Sequence, residues 1–250
     1  MQGLMLHCGG VPATRDQVLQ VEVPESTRSY QAVPHGDLID MILDRTKTVL
    51  GVEPVTEGYG LNREGQQLFG VMRFPSVNPD HGMSIGFRNS YDKSISVGIA
   101  SGASVFVCDN MCFSGESVSI VRKHTVNVWR DVLVKVDEAL ESAPAHYERM
   151  QHDIECMKGI RVKEDKGFEV LGRAFGHGIL TSRQANVAFG DWKNPRHEEF
   201  SPMNAWSLYN CVTEGLKRGD AGGSITRHAN AHQFFTDTFR IPEPATMVAM

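Results

Sequence analysis

The stretch IGFRNSYDKSISVGIASGASVFVCDNMCFSGESVSIVRKH, residues 85–124, decides the fold of this chain. Apolar residues alternate with small polar ones in parts of it, as at Ile95, Val97 and Ile99, and this period of two is typical of half-buried strands. The polar run Asn89-Ser90-Tyr91-Asp92 and the glycines Gly102 and Gly115 are typical of turns between strands. We therefore predict that residues 52–121 form one antiparallel sheet.

A long helix is predicted directly after the sheet, over residues 127–157. It carries a stripe of apolar residues at helical spacing, which we expect to be buried against the sheet; the stripe consists of Trp129, Val132, Leu133, Val136 and Leu140. A shorter helix is predicted before the sheet, from Asp37 to Leu50, where Gly51 ends it. The last third of the chain also has helical patterns. The predicted class is α+β: an antiparallel sheet with a long packed helix and a helical C-terminal third.

Composition divides the chain into three parts. Residues 1–25 are punctuated by proline and glycine and are predicted to be a flexible N-terminal arm. Residues 26–160 are predicted to form the α+β core, and residues 161–250 the helical C-terminal region. A chain of 250 residues with 41% hydrophobic and 22% charged residues can bury a core without disulfides.

The sequence favours a cytoplasmic protein. No apolar run approaches the roughly 18 residues of a membrane span, and the N-terminus lacks the basic and apolar regions of a secretory signal. The five cysteines are scattered and odd in number, and with 11 methionines they suit a reducing compartment. We expect no membrane partner.

No complete catalytic motif occurs in the sequence. There is no phosphate-binding loop, no dinucleotide fingerprint and no G-x-S-x-G elbow. Cys108-Asp109-Asn110 raises the hypothesis of a thiol nucleophile, with His124 as the only nearby histidine. A reactive thiol needs a base and a lowered pKa, so we interpret this cysteine as a small buried hydrophobe. We predict no catalytic residue and no cofactor.

Two histidines have a spacing that zinc sites use. His228 and His232 lie four residues apart in HANAH, which places both imidazoles on one helix face. The glutamate of H-E-x-x-H is absent, and the pair shares its face with apolar residues. We predict core or interface histidines rather than a metal site, and keep a metal-dependent enzyme as a third hypothesis.

The predicted strand region is mildly basic within an acidic protein. The net charge is −5, yet residues 61–135 carry 8 Lys and Arg against 6 Asp and Glu. Basic residues alternate there with aromatic ones, and an exposed sheet of this kind can bind a single strand by phosphate contacts and base stacking. The predicted nucleic-acid-binding residues are Arg88, Tyr91, Lys93, Arg122 and Lys123.

Five segments resemble the DUF932 family of phage- and plasmid-encoded proteins. They are VPHGDLI from Val33, RNSYD from Arg88, VFVCDN from Val105, KHT from Lys123, and NAWSLYNCVTE from Asn204. The resemblance extends over roughly residues 30–235. It implies a phage or mobile-element origin and a setting in the host cytoplasm. The activity of the family is unassigned, so the resemblance carries over no catalytic residue.

Two functional hypotheses lead. The first is a non-enzymatic, homo-oligomeric protein that binds single-stranded nucleic acid, because the order of a sheet and then a long helix is similar to that of annealing proteins in recombination. The second is a protein that binds a host factor, such as a component of a defence system. The net charge of −5 favours the second hypothesis, since an acidic surface can engage basic sites.

Overall fold

The computed structural model describes residues 10–105, 111–112, 118–120, 127–217 and 224–244. Within these ranges seven strands form one antiparallel sheet: β1 Val11–Ala13, β2 Thr56–Asn62, β3 Gln67–Arg73, β4 His81–Ser90, β5 Gly98–Val105, β6 Met111–Cys112 and β7 Val118–Ile120. Strands β1 to β5 lie side by side in chain order, and β6 and β7 both pair with β5. The predicted antiparallel sheet is confirmed.

Two helices lie between β1 and β2 in the chain, and the other helices of the described residues follow β7. They are α1 Arg15–Leu19, α2 His35–Arg45, α3 Val128–Gly159, α4 Glu164–Gly176, α5 Ser182–Lys193, α6 Ala205–Leu216 and α7 Ser224–Phe239. A π-helical turn, Thr46–Leu50, extends α2, and a 3-10 turn, Glu198–Phe200, precedes α6. The α+β class, with its helices concentrated in the C-terminal part, is confirmed. In the part of the chain that the structure describes, no helix is long and apolar enough to cross a membrane.

Helix α3 packs an apolar stripe on the sheet. The stripe contains Val132, Val136 and Leu140, which recur every four residues on one helix face and are almost completely buried. They share one hydrophobic cluster with Phe87 of β4. The prediction is wrong for Leu133, which is 40% exposed. It follows Val132 by one residue and therefore points about 100° away around the helix.

The two large clusters of buried side chains among the described residues lie on either side of the middle of α3. The first lies between the sheet, α2 and the first half of α3, and includes Leu38 and Ile85. The second lies between the second half of α3 and the helices from α4 onward, and includes Tyr209. Ala103 and Val105, at the end of β5, belong to the second cluster. The C-terminal helices therefore pack against one end of the sheet.

Part of the predicted flexible arm belongs to the folded body. Strand β1 pairs with β2, and α1 begins with a capping box in which the Thr14 hydroxyl accepts a hydrogen bond from the Gln17 N–H. Val18 is 1% exposed and packs in the first cluster. Strand pairing and the burial of Val18 therefore hold residues 11–19 on the sheet, in contrast to the flexible arm expected for residues 1–25.

Candidate functional site

Two of the segments that resemble the family meet at the end of the sheet where β4 stops. The rings of His35 and Tyr91 are stacked, with centroids 3.9 Å apart and planes 5° from parallel. The Tyr91 hydroxyl accepts a hydrogen bond of 2.8 Å from the backbone N–H of His35, in the first turn of α2. Pro34 occupies the N-cap and has no side-chain acceptor. The tyrosine therefore caps a helix that lacks a local cap.

The ring of His35 is engaged at both nitrogen atoms. Its Nε2 lies 3.0 Å from the Gly65 carbonyl oxygen, which can only accept, so Nε2 donates. Its Nδ1 lies 2.9 Å from Asn89 Nδ2, which also donates to the Val33 carbonyl oxygen at 2.6 Å. His35 is thus a structural residue that joins α2, the β2–β3 turn and β4.

Two cations stand at adjacent turns beside this buried junction. Arg63, in the β2–β3 turn, donates to the Asp92 carboxylate at 2.9 Å, and its side chain is 61% exposed. Lys93, after β4, is exposed and places Nζ 4.4 Å from the centroid of the Tyr30 ring, a cation–π contact. Both have a left-handed backbone, with φ of 50° and 61°. We call Arg63 and Lys93 the cationic turns.

Asp92, whose carboxylate accepts from Arg63, favours its ionised form. Burial opposes the ionisation of Asp92, but hydrogen bonds from Ser94 and from Arg63 outweigh it and lower the pKa of the carboxyl. The Tyr30 ring below Lys93 is itself fixed, because the Tyr30 hydroxyl donates to the Tyr91 carbonyl oxygen at 3.0 Å. The cationic turns therefore rest on the same buried junction as His35.

The residues predicted to contact nucleic acid are not brought together as expected. Arg88 is 7% exposed, and its side chain lies against Gly98 of β5, its partner on the neighbouring strand. Tyr91 is 4% exposed and stacks on His35. Both side chains are covered in this structure, which argues against direct contacts of these two residues with nucleic acid. Lys93 is exposed at a turn. Arg122 and Lys123, like 106–110 and His124, lie outside the described residues.

The two histidines of HANAH are buried between α7 and α3. His228 is 1% and His232 is 5% exposed. His232 Nε2 lies 2.9 Å from the carboxylate of Asp153 in α3. Within the described ranges, no group of three His, Cys, Asp or Glu side chains lies close enough to hold a metal ion. Their geometry in this region is that of core residues.

The segment from Asn204 to Glu214 builds α6. The Asn204 carboxamide oxygen accepts the Ser207 N–H at 2.8 Å and so caps the helix. Cys211 is buried and lies 3.2 Å from the Ser207 carbonyl oxygen. Burial raises the pKa of the Cys211 thiol well above its ordinary value. This cysteine is therefore a packed thiol and not a nucleophile.

A groove of about 340 Å³ lies at the opposite end of the sheet. It is bounded by the start of β4, the ends of β5 and α3, the 3-10 turn and the start of α6; its lining includes Asp80, Val105, Lys158, Glu199, Phe200, Asn204 and Trp206. Since β4 is ten residues long, the groove and the cationic turns are about 30 Å apart.

Sequence reasoning missed both Arg63 and the groove. The run Asn62-Arg63-Glu64-Gly65 is a turn signal that could have identified the first. No local signal marks the groove, because its walls are up to 127 positions apart in the chain, from Pro79 to Trp206.

The fold defines an α+β protein with an antiparallel sheet, a long helix packed across it and a helical cap at one end. The family described as "Domain of unknown function (DUF932)" matches residues 25–236, and the chain belongs to this family. No curated protein and no solved structure matched the chain.

Proposed function

We propose that this protein binds single-stranded nucleic acid without catalysis, and that Arg63 and Lys93 contact the phosphates. One observation carries the proposal: two exposed cations stand on adjacent turns, and both turns rest on the buried junction of His35, Asn89 and Tyr91. A preorganised surface loses little conformational entropy when a ligand binds, so contacts made from it are efficient.

The charges at this end of the sheet support phosphate contacts of modest strength. Asp92 offsets part of the charge of Arg63, whereas Lys93 takes part in no ion pair among the described residues. With a net charge of −5, one copy of the chain presents few positive contacts. We therefore extend the proposal to a homo-oligomer, in which several weak sites engage one strand and raise the overall affinity by avidity.

Strand annealing is the finer form of the proposal. A protein that holds several phosphates and leaves the base edges free can present a strand for pairing, and it needs no catalytic residue. The His35 ring and the Cys211 thiol are both engaged in buried structural contacts, which supports a role without catalysis. The setting that the family resemblance implies is a phage or mobile element acting in the host cytoplasm.

Salt-dependent binding of a fluorescent oligonucleotide tests the proposal. For single strands, the logarithm of the binding constant falls against the logarithm of the salt concentration with a slope of about −0.7 per phosphate contact. The double variant Arg63→Ala/Lys93→Ala is expected to flatten the slope by one to two contacts, or about 0.7–1.4. Lys135→Ala is the matched control: Lys135 is an exposed cation on α3 and pairs with Glu138.

Two results would contradict the proposal. The first is an unchanged slope in the double variant, and the second is no binding at low salt by the wild-type protein. The second result would favour the alternative, a host protein with a basic surface as the partner, which the net charge of −5 supports. Energy transfer between two labelled complementary strands then tests the finer claim, because an annealing protein accelerates their pairing.

A further inference from the structure

The floor of the groove at the far end of the sheet is apolar and preformed. Val105, Trp206 and Phe200 are 2%, 5% and 9% exposed, and all three belong to the second hydrophobic cluster. The Trp206 ring stacks on Tyr209, with centroids 5.6 Å apart. Core side chains of this kind have little freedom to move. The groove therefore offers fixed apolar surface within the usual volume range of small-molecule sites.

The rim of the groove carries polar groups of both signs. Lys158 Nζ lies 2.9 Å from the Asp80 carboxylate and 3.0 Å from Glu155. Glu199 is exposed in the 3-10 turn. The carboxamide oxygen of Asn204 is used by the Ser207 N–H, while its NH2 group makes no hydrogen bond within the part of the chain that the structure describes. The rim thus offers donors and acceptors side by side.

This combination selects a class of ligand. A small anion would meet the carboxylates of Asp80 and Glu199, and a small cation would meet the ammonium of Lys158. An aliphatic chain would cover these polar groups without pairing them, which is unfavourable. A flat, neutral ring with donors and acceptors on its edge can pack its face on the apolar floor and form hydrogen bonds with the polar groups of the rim. Nucleobases have this chemistry, and proteins that hold an extruded base pack its faces and hydrogen-bond its edge.

We infer that the groove receives one unstacked base of the bound strand. The floor covers a face of the base, Asn204 donates to its edge, and Glu199 accepts from its edge. This inference rests on the proposed function, because the base belongs to the same strand that the cationic turns hold.

Resonances of the tryptophan indole N–H groups test the inference directly. The chain has three tryptophans. The Trp206 ring lines the groove, whereas the indole N–H of Trp192 is engaged by the Glu164 carbonyl oxygen at 3.0 Å and serves as an internal control. Titration with thymidine and adenosine is expected to shift the Trp206 resonance in a saturable manner and to leave that of Trp192 in place.

Two variants assign the contact to the edge of the base. Glu199→Ala is expected to weaken binding of the nucleosides about tenfold, the loss of one charge-assisted contact. Glu198→Ala is the matched control, because Glu198 is exposed in the same 3-10 turn and lies outside the groove lining.

The outcomes separate this inference from the proposed function. If an oligonucleotide binds with the expected salt slope but neither it nor any nucleoside moves the Trp206 resonance, the base site is rejected and the phosphate contacts stand. If nucleosides shift Trp206 but oligonucleotides do not bind, the groove is a nucleoside site and the proposed function fails. If N-acetylphenylalaninamide shifts Trp206 and nucleosides do not, the groove accepts a peptide side chain and the inference is overturned.

Discussion

The hydroxyl of Tyr91 caps the helix that His35 begins, and the two rings stack at 3.9 Å. This contact joins residues 56 positions apart, one from each of two segments that resemble the family. Since Asn89 adds a bond to the same imidazole, helix α2 and strand β4 meet in one buried polar network. Buried networks of this kind are favourable only when their members are paired, so single substitutions should reveal them.

Tyr91→Phe should destabilise the protein while keeping the stacked rings. The substitution removes the hydroxyl that accepts a hydrogen bond from the buried N–H of His35. We expect a loss of about 1–3 kcal/mol in the free energy of unfolding, measured by urea denaturation. Tyr59→Phe is the matched control, because the Tyr59 hydroxyl contacts the partly exposed Glu57 carboxylate, which water can solvate. Equal losses in both variants would contradict a capping role.

Gly70→Ala should destabilise the sheet. A Cβ atom at Gly70 of β3 would lie 2.1 Å from Cζ of Phe87, whose ring covers the glycine from β4. We expect a cost of about 1–3 kcal/mol from overpacking. Gly172→Ala is the control, since Gly172 is exposed inside helix α4 with no atom within 4 Å of an added Cβ. The Gly172→Ala variant should have a slightly higher free energy of unfolding, by up to about 1 kcal/mol.

Val136→Asp should unfold the protein, whereas Leu133→Asp should leave it folded. Val136 is 1% exposed between α3 and the sheet, so an aspartate there would bury an unpaired carboxylate. Leu133 is 40% exposed, and an aspartate there stays in water. Circular dichroism and size-exclusion chromatography are expected to show an unfolded or aggregated Val136→Asp variant and a folded Leu133→Asp variant. The reverse order would mean that α3 packs on its other face.

Acid should destabilise the protein through His81. This residue is completely buried; its Nδ1 lies 3.2 Å from the Tyr147 hydroxyl, and its Nε2 lies 3.2 Å from Asn78 Nδ2. Burial, and secondly the charge of Lys158, lower the pKa of His81 from its ordinary value of 6.5. The unfolded chain therefore takes up a proton near pH 6.5, whereas the folded protein resists it.

The free energy of unfolding should thus fall as the pH decreases from 6.5 towards the lowered pKa of the folded state. The contribution is fully present above pH 6.5. A His81→Gln variant, which keeps a polar side chain but does not titrate, should show a flatter decline over the same interval in urea titrations. An unchanged pH dependence in that variant would assign the acid sensitivity to other groups.

Local pattern was enough to predict the elements and their class. The alternation around Val97 and Ile99 and the helical spacing of Val132, Val136 and Leu140 reflect the geometry of strands and helices, which repeats within a few residues. The glycine signal was misleading at Gly102, which lies inside β5 and not in a turn. The family resemblance also rests on short segments that can be read one at a time.

The tertiary structure decided which side chains are available for function. Lys93 and Tyr91 are two positions apart, yet the lysine is exposed and the tyrosine is covered by His35, which lies in helix α2. Leu133 and Val132 are adjacent, and only the position of α3 on the sheet separates their burial. The groove joins Asp80, Lys158 and Trp206 from distant parts of the chain. The exposure of a side chain, and the meeting of distant residues at one site, depend on contacts across the whole molecule. A short-range sequence pattern does not contain these contacts.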